Sequence, residues 1–168
     1  IAHDVRLTAP LGTAERRSPI CGSHITVDVA LDDQGRIAAL GQEVRACALG
    51  QASAALMGTS AIGMTLDEVT AARDRLTAFL AGQCDDAGDW PGLDIFAPAR
   101  PHAARHPSIR LPFEAMAAAI EQALADVAPS ARVDAQSNWL KPVFEAMISL
   151  QVLAIALVAL LVLALGSA

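Results

Sequence analysis

The clearest pattern in the chain is the strict alternation from His24 to Leu31. Ile25, Val27, Val29 and Leu31 fall on one face, and His24, Thr26, Asp28 and Ala30 on the other. A period of two residues is that of a half-buried β-strand. Asp32-Asp33-Gln34-Gly35 has turn chemistry, and 36–45 reads as the returning strand of an antiparallel hairpin. A short earlier strand is expected near 14–18, and 1–7 reads as the end of a helix. Helical signals follow. Residues 48–57 are dense in alanine, with Gly50, Ser53 and Gly58 small enough for close backbone approach. Thr65 and Glu68 have capping-box spacing ahead of a helix over 66–80, whose stripe is Leu66, Val69, Leu76, Phe79 and Leu80. Gly82 ends it. The stretch 83–110, rich in proline and glycine, reads as a long irregular connection, a kind of segment that is often functional. A last amphipathic helix is expected over 111–127, with Pro112 in its first turn.

These elements imply an α+β domain over 1–127, a linker over 128–142, and a C-terminal hydrophobic helix within 143–168. From Val152 to Gly166 nothing is polar, and the apolar run 148–165 has 18 residues. About 18–20 residues of helix cross a hydrocarbon core of ~30 Å. The expectation is a transmembrane tail anchor, with Trp139 and Phe144 at the interface and Arg132 and Lys141 keeping the folded domain in the cytoplasm.

Composition narrows the chemistry. The 168 residues carry a net charge of −6, with 4% aromatics and no tyrosine. No Lys/Arg run is present to track a phosphate backbone, so nucleic-acid binding is disfavoured. Three cysteines with no secretory leader before them make no disulfide framework and suggest a reducing, cytoplasmic compartment. There is neither a phosphate-cradling glycine loop nor a Cys-x-x-Cys. Asp85, Asp86, Asp89 and Asp94 lack a nucleophile or a motif-borne histidine, and Arg16-Arg17 reads by default as a solvated pair, with contact to a partner or an anionic group as the alternative.

Cys21 and Cys47 remain. Cys47 stands where a strand gives way to a helix, and a helix N-terminus favours the thiolate that binds metal or accepts sulfur. Cys21 lies between Pro19 and Gly22, just ahead of the hairpin. A hairpin that goes out and returns brings positions 21 and 47 to one end of the sheet.

The motifs around these cysteines resemble the IscU/NifU/SufU iron–sulfur cluster scaffolds. They are Pro19-x-Cys21-Gly22, the 26-residue step to Cys47, and Cys47-Ala48-Leu49-Gly50-Gln51-Ala52-Ser53-Ala54-Ala55-Leu56-Met57. The last is similar to the family's Cys-x-x-Ser/Gly-x-Ala-Ser-Ala-Ser-x-Met. The segment from Arg105 through His106 and Ser108 to Ala115 is similar to its Arg-x-x-Cys-x-x-Leu-x-Trp-x-Ala. The likeness spans about residues 5–127, and the long interval 59–107 is closer to the SufU branch. It implies a three-stranded antiparallel sheet packed on helices, and a site holding iron, zinc or a labile [2Fe-2S] cluster. It also implies a cysteine desulfurase and apo-protein recipients as partners, and a scaffold rather than an enzyme.

Two positions depart from the pattern. Ser23 stands where the family has Asp, and Ser108 where it has its third Cys. A serine hydroxyl does not ionise as a thiol does, so both are poor ligands. His106 is a candidate third donor and His24 a weaker one, while Cys84 matches no family position and is expected at the surface of the long loop. Cys21 and Cys47 are thus the expected metal ligands and sulfur acceptors, and a homo-oligomer pooling four thiolates would complete the set. Two alternatives compete: a module that keeps the fold, has lost the metal site and docks to a membrane complex; and, ranked last, an enzyme with a thiolate nucleophile.

Overall fold

The computed structural model describes residues 5–18 and 22–126. The chain divides into two units, Ile1–Asp126 and Val127–Ala168, and the described residues belong to the first. The expected linker and apolar tail lie outside the described residues, as do Pro19, Ile20 and Cys21. Among the described residues no helix is long and apolar enough to cross a membrane.

Three antiparallel strands form the sheet in the order β1 (Gly12–Arg17), β2 (His24–Leu31), β3 (Ile37–Arg45). The apolar face of β2 is buried as expected at Ile25, Val27 and Val29, with Leu31 half-buried, but Thr26 and Asp28 of the opposite face are buried too. The turn to β3 is tied by Asp32, whose Oδ1 accepts from the N–H of Gln34 and of Arg36, each at 2.9 Å. Two helices follow, α1 (Ala48–Ser60) and α2 (Leu66–Leu80). The capping box at the start of α2 is present in both directions. The Glu68 N–H donates to Thr65 Oγ1, and the Thr65 N–H donates to Glu68 Oε2. Val69, Leu76, Phe79 and Leu80 of the expected stripe are buried, and Leu66 is half-buried.

The region expected to be an irregular connection is more ordered than its composition suggests. Leu93–Ala99 and Ala103–Arg105 are 3₁₀ turns. The last helix, α3, covers 106–126, so it starts five residues before the expected position 111. Pro107, not Pro112, occupies its first turn, where a missing N–H costs nothing. Pro112 lies inside the helix and cannot donate to the carbonyl of Ser108. Core burial outweighs that loss, since Ile109, Phe113, Met116 and Ile120 are all fully buried. The loop supplies core as well. Trp90 meets Phe113 edge to face at 5.1 Å and donates its indole N–H to the carbonyl of Leu56.

Residues 5–7 are not helical. They lie across the polar face of the sheet, where the Gln42 N–H donates to the carbonyl of Val5 at 3.0 Å. Gly41 makes the approach possible, because a Cβ there would stand 2.6 Å from the Leu7 nitrogen. The anchor is Asp28, on the polar face of β2 yet fully buried. Its carboxylate accepts from Arg6 Nε and Nη2 at 2.5 and 2.8 Å, from Thr13 Oγ1 at 2.8 Å and from the Leu7 N–H at 3.0 Å. Helix formation would withdraw these donors, and that is why the helical signal loses at residues 5–7, the described part of the expected 1–7 helix end.

Burial pushes the Asp28 carboxyl up. The hydrogen bonds from Arg6, Thr13 and Leu7, with the Arg6 charge, outweigh burial and hold it below the ordinary carboxylate value. A depressed folded-state value means that the stabilisation is complete above the unfolded carboxyl's ~3.9 and is lost as pH falls through the lower folded value. Asp28→Ala should cost about 2–3 kcal/mol in urea unfolding at neutral pH, with a smaller acid-dependent loss remaining. An unchanged urea midpoint would show that the segment contributes nothing.

Candidate functional site

The site grows from the register of the sheet. Arg17 pairs with His24, and His24 pairs with Arg45, so all three strands meet at one end. The chain leaves that end twice, through Gly22-Ser23 into β2 and through Ala46-Cys47 out of β3. The Ser18 N–H donates to the carbonyl of Ser23 at 2.8 Å and draws together the ends of the segment that carries Cys21. Cys21 itself lies outside the described residues, and Gly22 is its described neighbour.

Cys47 is the N-cap residue of α1, in extended conformation and partly exposed. No side chain of its own turn caps the helix. Its N–H instead donates to Ser23 Oγ at 3.4 Å, across 24 residues of sequence, and its carbonyl accepts from the Gln51 N–H at 2.9 Å. The convergence of the two cysteine-bearing junctions is therefore direct at Ser23 and Cys47. Ser23 is only 4% exposed. It stands beside Cys47 as a hydroxyl that accepts a backbone hydrogen bond, a structural duty that an alcohol can perform without ionising.

Ser108 arrives from the other side. It lies in the first turn of α3 and is 2% exposed. Gly50, in the first turn of α1, faces it: a Cβ on Gly50 would stand 3.2 Å from the Ser108 carbonyl oxygen and 2.7 Å from the Ala46 Cβ. One turn on, Ser53 Oγ donates to the carbonyl of Ile109 at 2.6 Å. Gly50 and Ser53, small residues one helical turn apart, thus let the starts of α1 and α3 meet.

The other candidates separate. His106 turns its Nε2 to the carbonyls of Ala99 and Arg100, 3.1 Å from each, so that nitrogen is engaged in holding the preceding 3₁₀ turn. His24 stands on the polar face of the sheet, between Arg17 and Arg45. Cys84 is partly buried rather than at the surface, and its thiol donates to the carbonyl of Asp86 at 3.3 Å. It packs against the core because the loop around it is tied down: Arg100 donates to the Cys84 carbonyl, and Asp86 is ion-paired with Arg75. Among the described residues no three His, Cys, Asp or Glu side chains are grouped so that they could hold a metal ion.

A feature that the sequence reading passed over is the row Arg17–His24–Arg45 across the polar face. Its signal was in the alternation, since residues directly opposite in antiparallel strands share a face. Behind it runs the row Glu15–Thr26–Glu43.

Gly50→Ala should destabilise the domain by about 1–3 kcal/mol, read by urea unfolding, because the added methyl meets backbone and Ala46 where little can give. Gly58→Ala, at the far end of α1, serves as the comparison. Equal, negligible costs would show that the two helix starts are not tightly joined.

No family model and no curated protein matches the chain. Solved structures do. The N-terminal part of a nitrogen-fixing NifU-like protein from Brucella abortus is 38% identical, over 71% of this chain and 83% of that one, with a TM-score of 0.67. A candidate iron–sulfur cluster assembly scaffold for the SUF system of Fervidobacterium islandicum AW-1 is 21% identical, over 68% of this chain and 83% of that one, at a TM-score of 0.62. A hypothetical protein is 23% identical, over 71% and 87%, at 0.64. The last two show the fold alone. At the identity and coverage of the first, the chain belongs to the NifU/IscU/SufU-like scaffold family, whose members are not enzymes.

Proposed function

We propose that this protein is an iron–sulfur cluster assembly scaffold or carrier that takes iron, or a labile [2Fe-2S] cluster, as its cargo through Cys21 and Cys47. The observation that supports this most is the meeting of the Ser23 hydroxyl with the Cys47 N–H. It ties the Cys21-bearing junction to the start of α1. Two thiolates at one sheet end are a minimal handle for a soft metal, and fewer than the four that [2Fe-2S] clusters usually take. A weakly held cargo suits a protein that hands it on. Zinc is a second possible occupant, because it takes thiolate and imidazole ligands. On this reading a cysteine desulfurase supplies sulfur to Cys47 or Cys21, and apo-proteins receive the cluster.

The test is anaerobic reconstitution of the full chain with iron and sulfide, with metal analysis and molar mass. Wild type should develop thiolate-to-iron charge-transfer absorbance, and Cys47→Ala should lose most of it. No absorbance and no bound zinc in wild type, with Cys47→Ala indistinguishable, would overturn the reading.

The second reading, a module that has kept the fold and given up the metal, is favoured by the burial of Ser23 and Ser108 as hydroxyls and by the engagement of His106 Nε2. Ser108→Cys distinguishes the two in the same experiment. A scaffold should gain cluster yield from a third thiol, whereas a module without a site should not.

The sequence pattern supports one further element, a membrane anchor within 143–168 that would hold the scaffold domain at a bilayer on the cytoplasmic side. Membrane fractions extracted with carbonate should retain the full chain. Its recovery in the soluble fraction would remove the anchor.

A further inference from the structure

The row Arg17–His24–Arg45 has no part in the fold's core and stands at the end of the sheet where Cys47 begins α1. Each of its arginines has a carboxylate two residues back on the same face. Arg17 Nε is 2.5 Å from Glu15 Oε1, and Arg45 Nε is 3.0 Å from Glu43 Oε1. These pairs are at the surface, with the arginine side chains 72% and 70% exposed. Exposed pairs of this kind contribute about 0–1 kcal/mol, so an incoming carboxylate can displace either at little cost. Glu43 is also drawn backward, because Arg6 Nη1 lies 3.9 Å from its other oxygen.

Strand spacing of about 4.8 Å puts the outer two positions of the row about 10 Å apart. That is about one Debye length at 0.1 M salt, so the two arginines act on an approaching chain as a single patch. Arginine guanidinium groups bind carboxylates through paired N–H donors, which favours aspartate and glutamate side chains over a diffuse anion. The position matters more than the size. A chain with 18 acidic and 12 basic side chains repels acidic partners in general. Here, at the sheet end from which the chain runs on to Cys47, it presents two exposed arginines.

We propose that the Arg17–His24–Arg45 row is a docking strip for an acidic polypeptide segment that carries a reactive cysteine to Cys47. The proposal rests on the scaffold reading, in which a protein partner must bring sulfur to this thiol, and it assigns the residues of this chain that recognise that partner. Docking is by charge, on the polar face at the sheet end. The Glu15–Thr26–Glu43 row behind bounds the strip and disfavours a segment that slides further along the face.

The probe is a pair of synthetic peptides of equal length, one flanking its single cysteine with aspartate and glutamate, the other with lysine. Each cysteine is activated as a 2-thiopyridyl disulfide. The Cys47 thiolate attacks the peptide sulfur, the peptide–thiopyridyl bond breaks, and pyridine-2-thione is released and measured. Peptide mapping by mass spectrometry identifies the adduct at Cys47. At low ionic strength the acidic peptide should react with Cys47 about tenfold faster than the basic one, a modest case of electrostatic steering. The ratio should fall towards one in about 0.5 M salt. In Arg17→Gln/Arg45→Gln the preference should vanish or invert, since the net charge of the chain by itself favours the basic peptide. Equal rates in wild type, faster reaction with the basic peptide, or a preference that survives the double substitution would overturn the proposal. Iron and sulfide reconstitution of the same two proteins keeps the two readings apart. Cluster formation without peptide preference removes the docking strip alone. Peptide preference without cluster formation removes the scaffold reading and leaves the strip.

Discussion

The contact on which the site depends is the close meeting of the starts of α1 and α3. It is made by the absence of side-chain bulk at Gly50 and by one hydrogen bond, from Ser53 Oγ to the carbonyl of Ile109 at 2.6 Å. Both features lie on the alanine-rich α1, and both face backbone of α3. A larger residue at either position would push the helix starts apart. Gly50 would then lose its place against Ser108, and the start of α1, where Cys47 meets Ser23, would shift with it. The helix ends farthest from the site are held differently, by ordinary core: Met57 from α1 and Met116 and Ile120 from α3, all fully buried.

The sheet is bound from its other side by Asp28. A buried carboxylate on the face that usually meets water is costly unless every oxygen is occupied. Here Arg6, Leu7 and Thr13 occupy them, and that requirement is what draws residues 5–7 across β2 and β3. One face of the sheet is thus closed by helices and part of the other by a single polar anchor. At the end of the sheet, Cys47 is partly exposed.

That end has an unusual donor set for a scaffold of this family. Two of its side chains, Ser23 and Ser108, are buried alcohols, and a histidine that could have helped directs Nε2 to carbonyls. Ser23 accepts a backbone hydrogen bond from Cys47, and Ser108 packs at Gly50. On the scaffold reading proposed above, soft-metal binding would fall to Cys21 and Cys47. A loosely held cargo, and recognition of the partner by a charged strip beside the thiol, belong together. A site that binds its cargo weakly gains from holding the delivering partner in place.

The sequence by itself determined the elements with strong local periodicity. The apolar face of β2, the turn at Asp32, the capping box at Thr65 and the core stripe of α2 all stand where the pattern put them, because each is decided by neighbours a few residues away. The tertiary structure decided the rest. Residues 5–7 became an extended strap because Asp28, 21 or more residues away, offered more hydrogen-bonding than a helical turn could. The loop around Trp90 became ordered because an indole with a buried N–H partner outweighs the disorder that proline and glycine suggest. Helix α3 began early because Ile109 and Ser108 had a place against α1. The roles of Ser23 and His106 were invisible in one dimension, because their partners, Cys47 and the carbonyls of Ala99 and Arg100, are chosen by long-range packing and not by spacing along the chain.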